Sequence, residues 1–181
     1  MLRYYGFSLS LSLFVIVFYS LQVDAFIHGG LSGGYRGALG NNIGSSPEIR
    51  TFLHVNPIAI VPASLGFSYS YMSPIDIPNE KKIEIGELSF GLSVWSPVSL
   101  WSIVPYLRGR VPFYTYFTGR DASYLEAKAF TGFHGDLGLR WAFVSMFSIF
   151  LEGGLGINSY EIEGKKLGGF YNFLAGLQVI L

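Results

Sequence analysis

The chain ends in Phe170-Tyr171-Asn172-Phe173-Leu174-Ala175-Gly176-Leu177-Gln178-Val179-Ile180-Leu181, and an extended strand would place Tyr171, Phe173, Ala175, Leu177, Val179 and Leu181 on one face. Asn172, Gly176 and Gln178 fall on the other. A stripe of alternate apolar residues running to the last position, backed by small and polar ones, suits a strand with lipid on one side and a lumen on the other. The same alternation recurs along the chain.

The first residues carry the three parts of an export signal: Arg3 as the positive start, Leu9 to Leu21 as the apolar stretch, and Val23-Asp24-Ala25 as a small-residue cleavage site. Residues 1–25 are therefore expected to be a cleaved signal peptide, and residues 26–181 the mature chain. A retained anchor would need about 20 apolar residues, and Ser8, Ser10, Ser12 and Ser20 dilute this run. Half of all residues are hydrophobic and only 13% are charged, yet no later stretch resembles a transmembrane helix, so strands must carry the hydrophobicity. The absence of cysteine argues against a disulfide scaffold. Twelve basic and twelve acidic residues cancel, giving no basis for a nucleic-acid partner.

Period-two alternation between turn signals predicts eight strands, at 27–39, 48–56, 63–73, 83–95, 99–117, 128–144, 147–160 and 169–181. Two connections are short, Ser96-Pro97-Val98 and Ser145-Met146, and alternate with longer polar runs at 74–82, 118–127 and 161–168. The 56–62 segment is the weakest turn. Parity separates charge from apolar surface. Strand six sends Phe133, Leu137, Leu139, Trp141 and Phe143 one way and His134, Asp136, Gly138 and Arg140 the other. Strand seven opposes Phe147, Ile149, Leu151, Leu155 and Ile157 to Ser148, Glu152, Gly154, Gly156 and Asn158. Strand five sets Leu107, Val111 and Phe113 against Tyr106, Arg108, Arg110 and Tyr114, strand four sets Leu88 to Val94 against Glu87 to Ser93, and strand three sets Leu65 to Tyr71 against Ser64 to Ser70.

Such alternation also suits a soluble lipocalin-like barrel or a sandwich with its apolar face as the core. Three features favour a membrane barrel. Aromatic residues flank the short turns as an interfacial girdle (Trp95, Trp101, Trp141, Phe143, Phe147), and Tyr69, Tyr71, Phe113, Phe117, Phe133, Tyr171 and Phe173 supply a second one. The polar face is rich in Gly and Ser, as a crowded eight-strand interior requires. Lysines fall in or beside the long loops, whereas mid-strand cations are arginines, whose fork suits confined carboxylates.

With its export signal, eight short amphipathic strands and terminal apolar stripe, the mature chain resembles small bacterial outer-membrane barrels of the OmpA-transmembrane, OmpX and opacity-protein type. It departs from them at Leu181, where that family usually ends in Phe or Trp. The resemblance implies an eight-stranded antiparallel up-and-down transmembrane β-barrel in the outer membrane, with short turns and both chain ends in the periplasm. A monomer without cofactor is expected.

Parity puts Arg36, Arg50, Arg108, Arg110 and Arg140 in the lumen with Glu48, Glu87, Asp136 and Glu152, and with His28, His54 and His134. Near balance of charge points to a connected ion-pair network filling the barrel, with Arg140 and Glu152 expected as the closest pair across the tightest turn. A narrow gated channel for small solutes is the alternative reading of the same residues. At the outer rim, Lys81, Lys82, Arg120, Lys128, Lys165 and Lys166 are candidates to meet lipopolysaccharide headgroups, or to keep the loops soluble. A surface partner could also dock there.

Lipid A deacylation or palmitoyl transfer would need a hydroxyl beside a His at the outer rim. Strand six has no His-x-Ser arrangement, and Arg120-Asp121-Ala122-Ser123-Tyr124 has an acid and a hydroxyl but no His. His28 and His54 are expected near each other at the periplasmic rim of strands one and two, but two imidazoles fall short of a zinc ligand set. The Gly29-Gly30 and Gly33-Gly34 pairs lack the following helix of a phosphate cradle and are read as relief of crowding. No catalytic, metal or cofactor site is assigned. The expected function is a non-enzymatic role in envelope integrity or surface interaction.

Overall fold

The computed structural model describes residues 27–39, 45–57, 61–75, 83–119, 125–144, 146–159, 161–162, 165–166 and 168–180. The expected signal peptide and Leu181 lie outside them. The chain forms β1 (Ile27–Ala38), β2 (Ser46–Val55), β3 (Ala63–Ile75), β4 (Ile83–Trp95), β5 (Ile103–Gly119), β6 (Leu125–Lys128), β7 (Gly132–Val144), β8 (Phe147–Asn158), β9 (Glu161–Ile162), β10 (Lys165–Lys166) and β11 (Gly169–Ile180). β1 to β5 pair antiparallel in sequence order, β6 and β7 both pair with β5, β8 pairs with β7 and β11, and β11 closes on β1. Because β6 and β7 are two parts of one stave, the barrel has eight staves and no free edge. β9 and β10 make a separate two-stranded ribbon between β8 and β11. The start of β1, the end of β11 and the β2–β3, β4–β5 and β7–β8 connections share one end, the turn end. The remaining connections share the loop end.

Burial is inverted relative to a water-soluble protein. Leu137, Leu155 and Ile157 are more than 60% exposed and Trp141 is 52% exposed, whereas Arg50, Arg110, Glu87 and Asp136 are completely buried. A lipocalin-like barrel would turn those apolar side chains into its core. Here the polar face is the core, so the soluble alternative is set aside, and the exterior is built for hydrocarbon.

Several local differences from the expected strands and turns have identifiable causes. In β5 the register slips between Leu88↔Tyr114 and Ser89↔Pro112. Pro112 lacks the N–H that a ladder needs, and the slip inserts Phe113 as a bulge residue. Beyond it the faces exchange. Tyr114, expected inside, points out, and Phe117, expected in the aromatic girdle, is 1% exposed inside the lumen. Opposite the bulge the sixth stave breaks at residues 129–131, where Phe130 has φ 52° and the Thr131 N–H bonds the Pro112 carbonyl at 3.1 Å. At the turn end, the β4–β5 connection does not reverse at Ser96-Pro97-Val98. Leu100 and Ile103 exchange backbone bonds of 3.0 and 2.9 Å around Trp101 and Ser102, both at positive φ. Such a two-residue turn matches the twist of the strands it joins. Finally, Trp95 follows the inward parity of β4. It packs against Phe52, Tyr106 and Phe150 rather than joining the girdle.

Glycines opposite aromatics make the narrow interior packable. Gly30, Gly138, Gly156 and Gly176 stand directly across from Phe52, Tyr106, Phe170 and Phe150. Each ring leans over its glycine, so that a Cβ there would fall 2.2–2.6 Å from the ring Cζ. Outside the barrel, Tyr171 covers Gly37 and Tyr116 covers Gly86 in the same way. A large side chain therefore occupies the space of two, which fills the lumen without forcing rings into contact. The Gly29-Gly30 pair thus relieves crowding as expected, through Gly30. Replacing Gly138 with Ala is expected to displace the Tyr106 ring and cost about 1–3 kcal/mol. Gly33→Ala, where the nearest atom to a Cβ is 4.0 Å away, should leave the urea midpoint of the refolded protein nearly unchanged.

Candidate functional site

Strand alternation delivers every charged residue expected in the lumen: Arg36, Arg50, Arg108, Arg110, Arg140, Glu48, Glu87, Asp136 and Glu152 are each 6% exposed or less. All but Arg140, which stands toward the turn end opposite Phe150, lie in the middle of the barrel. Met72, Ile83, Ile85 and Phe117 cover them toward the loop end, and Phe52, Tyr106 and Phe150 toward the turn end. Those apolar layers went unread in the sequence because attention to polar residues on the inner face passed over Ile83, Ile85 and Met72. Parity alone would have found them.

Within this layer the ions form one connected set. Arg36 on β1 grips Glu48 with two bonds of 3.0 Å and reaches Glu87 at 2.7 Å. Glu48 also accepts from Arg50 on β2 at 2.9 and 3.2 Å. Arg50 then crosses the lumen: its Nη1 bonds Glu152 on β8 and lies 3.6 Å from Asp136 on β7. β2 and β7 are diametrically opposite in the circle of staves. Glu152 further accepts from Arg108 Nη1 and from the Tyr106 hydroxyl, both at 3.0 Å. Asp136 accepts from Arg110 Nε at 2.8 Å and Asn172 Nδ2 at 3.0 Å. Charges so far from water are tolerable only with this density of partners.

The expected Arg140–Glu152 pair is not formed. The register sets Arg140 opposite Phe150 and Glu152 opposite Gly138, two residues from the expected pairing, and the shift between Ala142 and Val144 accounts for one of the two. Glu152 is taken by Arg50 and Arg108, while the Arg140 guanidinium lies 5.7 Å over the Trp95 ring. Counting residues from the turn missed the bulge that shifts the register.

His28 and His54 are cross-strand neighbours at the turn end, as their spacing suggested. His28 Nδ1 meets Gln178 Nε2 at 3.0 Å. His54 Nδ1 lies 3.4 Å from Ser64 Oγ and 3.3 Å from Ser93 Oγ, a His–Ser contact that strand-local motif reading could not find because the residues come from three strands. No carboxylate orients the far nitrogen of His54 among the described residues, so the arrangement lacks the third member of a triad. His134 faces the lumen, edge-on to Phe170 at 4.6 Å.

Of the basic residues expected at the outer rim, Lys128 is half-buried at the end of β6, where its backbone stands opposite Thr115 and shares the inner face. It is not a loop residue. Lys165 and Lys166 belong to the β9–β10 ribbon, and their side chains lie outside the described set. Lys81, Lys82 and Arg120 lie outside it entirely.

The closed barrel is shared with solved structures. Neisserial surface protein A superposes with a TM-score of 0.66 at 11% identity, covering 86% of this chain and 96% of that one. The N-terminal β-barrel domain of OprF from Pseudomonas aeruginosa gives 0.54 at 13% identity, covering 87% and 99%. The fold is that of the small outer-membrane barrels. No protein-family model matches the sequence, and no curated protein matches it. The barrel has thus kept the architecture at very low identity, and its interior must be read from its own residues.

Removing Glu152 would leave both Arg50 and Arg108 short of a carboxylate where all three side chains are buried. Glu152→Ala is expected to cost about 3–5 kcal/mol in the urea midpoint of the lipid-refolded barrel. Glu87→Gln should cost less, because Arg36 keeps both bonds to Glu48.

Proposed function

We propose that the protein is a non-enzymatic integral barrel of the bacterial outer membrane, exported by its signal peptide. Its role is structural, in envelope integrity or surface interaction. In this reading the Arg/carboxylate network plugs the lumen, and the observation that carries it is Arg50, which bonds Glu48 on its own strand and reaches Glu152 and Asp136 across the barrel. Apolar layers above and below the ions support the plug, since they keep water from competing for the same hydrogen bonds. The barrel acts as a monomer in contact with lipid. Lys81, Lys82, Arg120, Lys165 and Lys166 meet lipopolysaccharide headgroups or a surface partner, a charge-driven contact that weakens with salt.

A narrow solute channel is the second reading, and it has its own support. Arg110 Nη1 and Nη2, both nitrogens of His134 and the hydroxyl of Ser89 are buried with no partner in the protein. Water in the lumen would satisfy them. Planar-bilayer recording of the refolded chain separates the two: a plugged barrel gives a flat baseline under applied voltage, and reproducible unitary steps would establish the channel instead.

Insertion itself is tested on the exterior. Leu137 sits at the middle of β7 and is 66% exposed, so Leu137→Arg would place a cation near the bilayer midplane. A loss of about 2–4 kcal/mol on folding into lipid is expected. A neutral outcome would mean that this face meets water.

A further inference from the structure

The slip at Phe113 also remakes the outer surface of the barrel. Before it, β5 turns Leu107, Gly109 and Val111 outward, and beyond it Tyr114, Tyr116 and Thr118 take the outward positions. Their cross-strand neighbours on β4 are Leu88, Gly86 and Glu84, and Tyr69 and Tyr71 follow on β3 opposite Leu88 and Gly86. Four phenols, an alcohol and a carboxylate therefore meet at the loop end of three adjacent staves. The Tyr116 ring lies over Gly86, and across that glycine its hydroxyl bonds the Tyr69 hydroxyl at 2.6 Å. Tyr71 reaches the Glu84 carboxylate with its own hydroxyl.

Tyrosines alone would make an interfacial girdle. Glu84 adds something else. Among the described side chains it is the single charge on the outward face of a stave, whereas the outward residues at the same end of the opposite staves are Tyr35, Ile157 and Tyr171. A carboxylate accepts hydrogen bonds and donates none, so beside lipid it selects headgroups rich in O–H or N–H and repels phosphate. The phenols around it can both donate and accept. Toward the middle of the barrel the patch runs onto an aromatic floor, where Phe67 packs edge-on against Phe90 at 5.5 Å and Phe113 at 6.1 Å and is itself 58% exposed. Hydroxyls above and rings below match a molecule with sugar at one end and hydrocarbon at the other.

We propose that the outward face of β3–β5 docks the sugar headgroup of an outer-leaflet glycolipid, its hydroxyls on Glu84, Tyr71 and the Tyr69–Tyr116 pair and its acyl chains along Phe67 and Phe90. This docking requires the loop end to lie in the outer leaflet, as the outer-membrane reading has it. Unlike the contacts of the loop lysines, it needs neither phosphate nor low salt.

Monoglucosyl diacylglycerol with a diazirine in its headgroup is a suitable probe, because it carries sugar without phosphate, and a phosphatidylglycerol reagent with the same diazirine is its anionic counterpart. The barrel is refolded into phosphatidylcholine vesicles holding one or the other and photolabelled. Mass-spectrometric mapping is expected to place the glucosyl label mainly on residues 67–71, 84–90 and 113–118, displaced saturably by unlabelled glucosyl lipid and unchanged by added salt. Glu84→Gln, checked for folding by heat-modifiability on a gel, should lower that label on the order of tenfold. Equal labelling of the patch by the phosphatidylglycerol reagent, glucosyl label spread evenly around the staves, or an unchanged label in Glu84→Gln would each overturn the proposal. The comparison of the two headgroups on the parent barrel decides it even where the variant fails to fold. A third reagent with its diazirine at the acyl end reports insertion separately through Leu137 and Leu155: with that label present, a negative headgroup result removes the sugar site and leaves the membrane barrel standing, and without it both fall.

Discussion

Closing an amphipathic sheet with its apolar face outward leaves the lumen as the one place where this chain can keep charge inside the membrane. Eight staves make that lumen narrow. Each ion there is surrounded by protein, and desolvation must be offset by direct partners. The network answers this by making single groups serve several others: Glu48 accepts from Arg36 and Arg50, and Glu152 from Arg50, Arg108 and Tyr106. Among the described residues, the cations that bond these carboxylates are all arginines. Its planar fork can bond carboxylates on two strands at once, whereas a lysine ammonium would retain more of its hydration demand.

The same narrowness governs the apolar part of the interior. Rings from β2, β5, β8 and β11 lie over glycines of the adjacent strand, so each aromatic covers backbone instead of meeting another side chain. Sheet curvature and packing thereby become one problem, because the glycine that admits the ring also permits the tight bend of a small barrel. The Phe52–Tyr106–Phe150 layer that results separates the ions from the turn end. Arg108 and Arg140 also lie over ring faces there, Arg108 while still bonded to Glu152. An aromatic face is a favourable contact for a poorly solvated guanidinium.

Most of this was legible wherever strand parity acts alone. Closure, stave number, the outward stripe of β11 and the inward position of all nine lumen charges follow from period two, since one slipped residue would have sent arginine to lipid. What escaped were quantities that depend on single extra residues. Phe113 reverses the faces of β5 beyond Pro112, and the slip at 142–144 supplies one of the two residues by which Arg140 misses Glu152. A proline hints at the first bulge, but nothing local marks the second. The His54–Ser64–Ser93 contact was hidden for another reason: its members are 10 and 39 positions apart and meet only through barrel closure.

Bulges in β5 and β7 also explain why the two ends of the lumen differ. Had β5 kept simple parity beyond Pro112, Tyr114 would face inward and Phe117 outward, and the loop end would hold a hydroxyl where it now holds a buried phenyl ring beside Ile85 and Met72. The slip therefore lines that end with apolar side chains. At the turn end the β7 slip contributes to the register that sets Arg140 opposite Phe150, with its guanidinium over the Trp95 ring. The interior is thus apolar toward the loops and carries arginine on aromatic faces toward the turns, a difference between its two ends to which single inserted residues contribute.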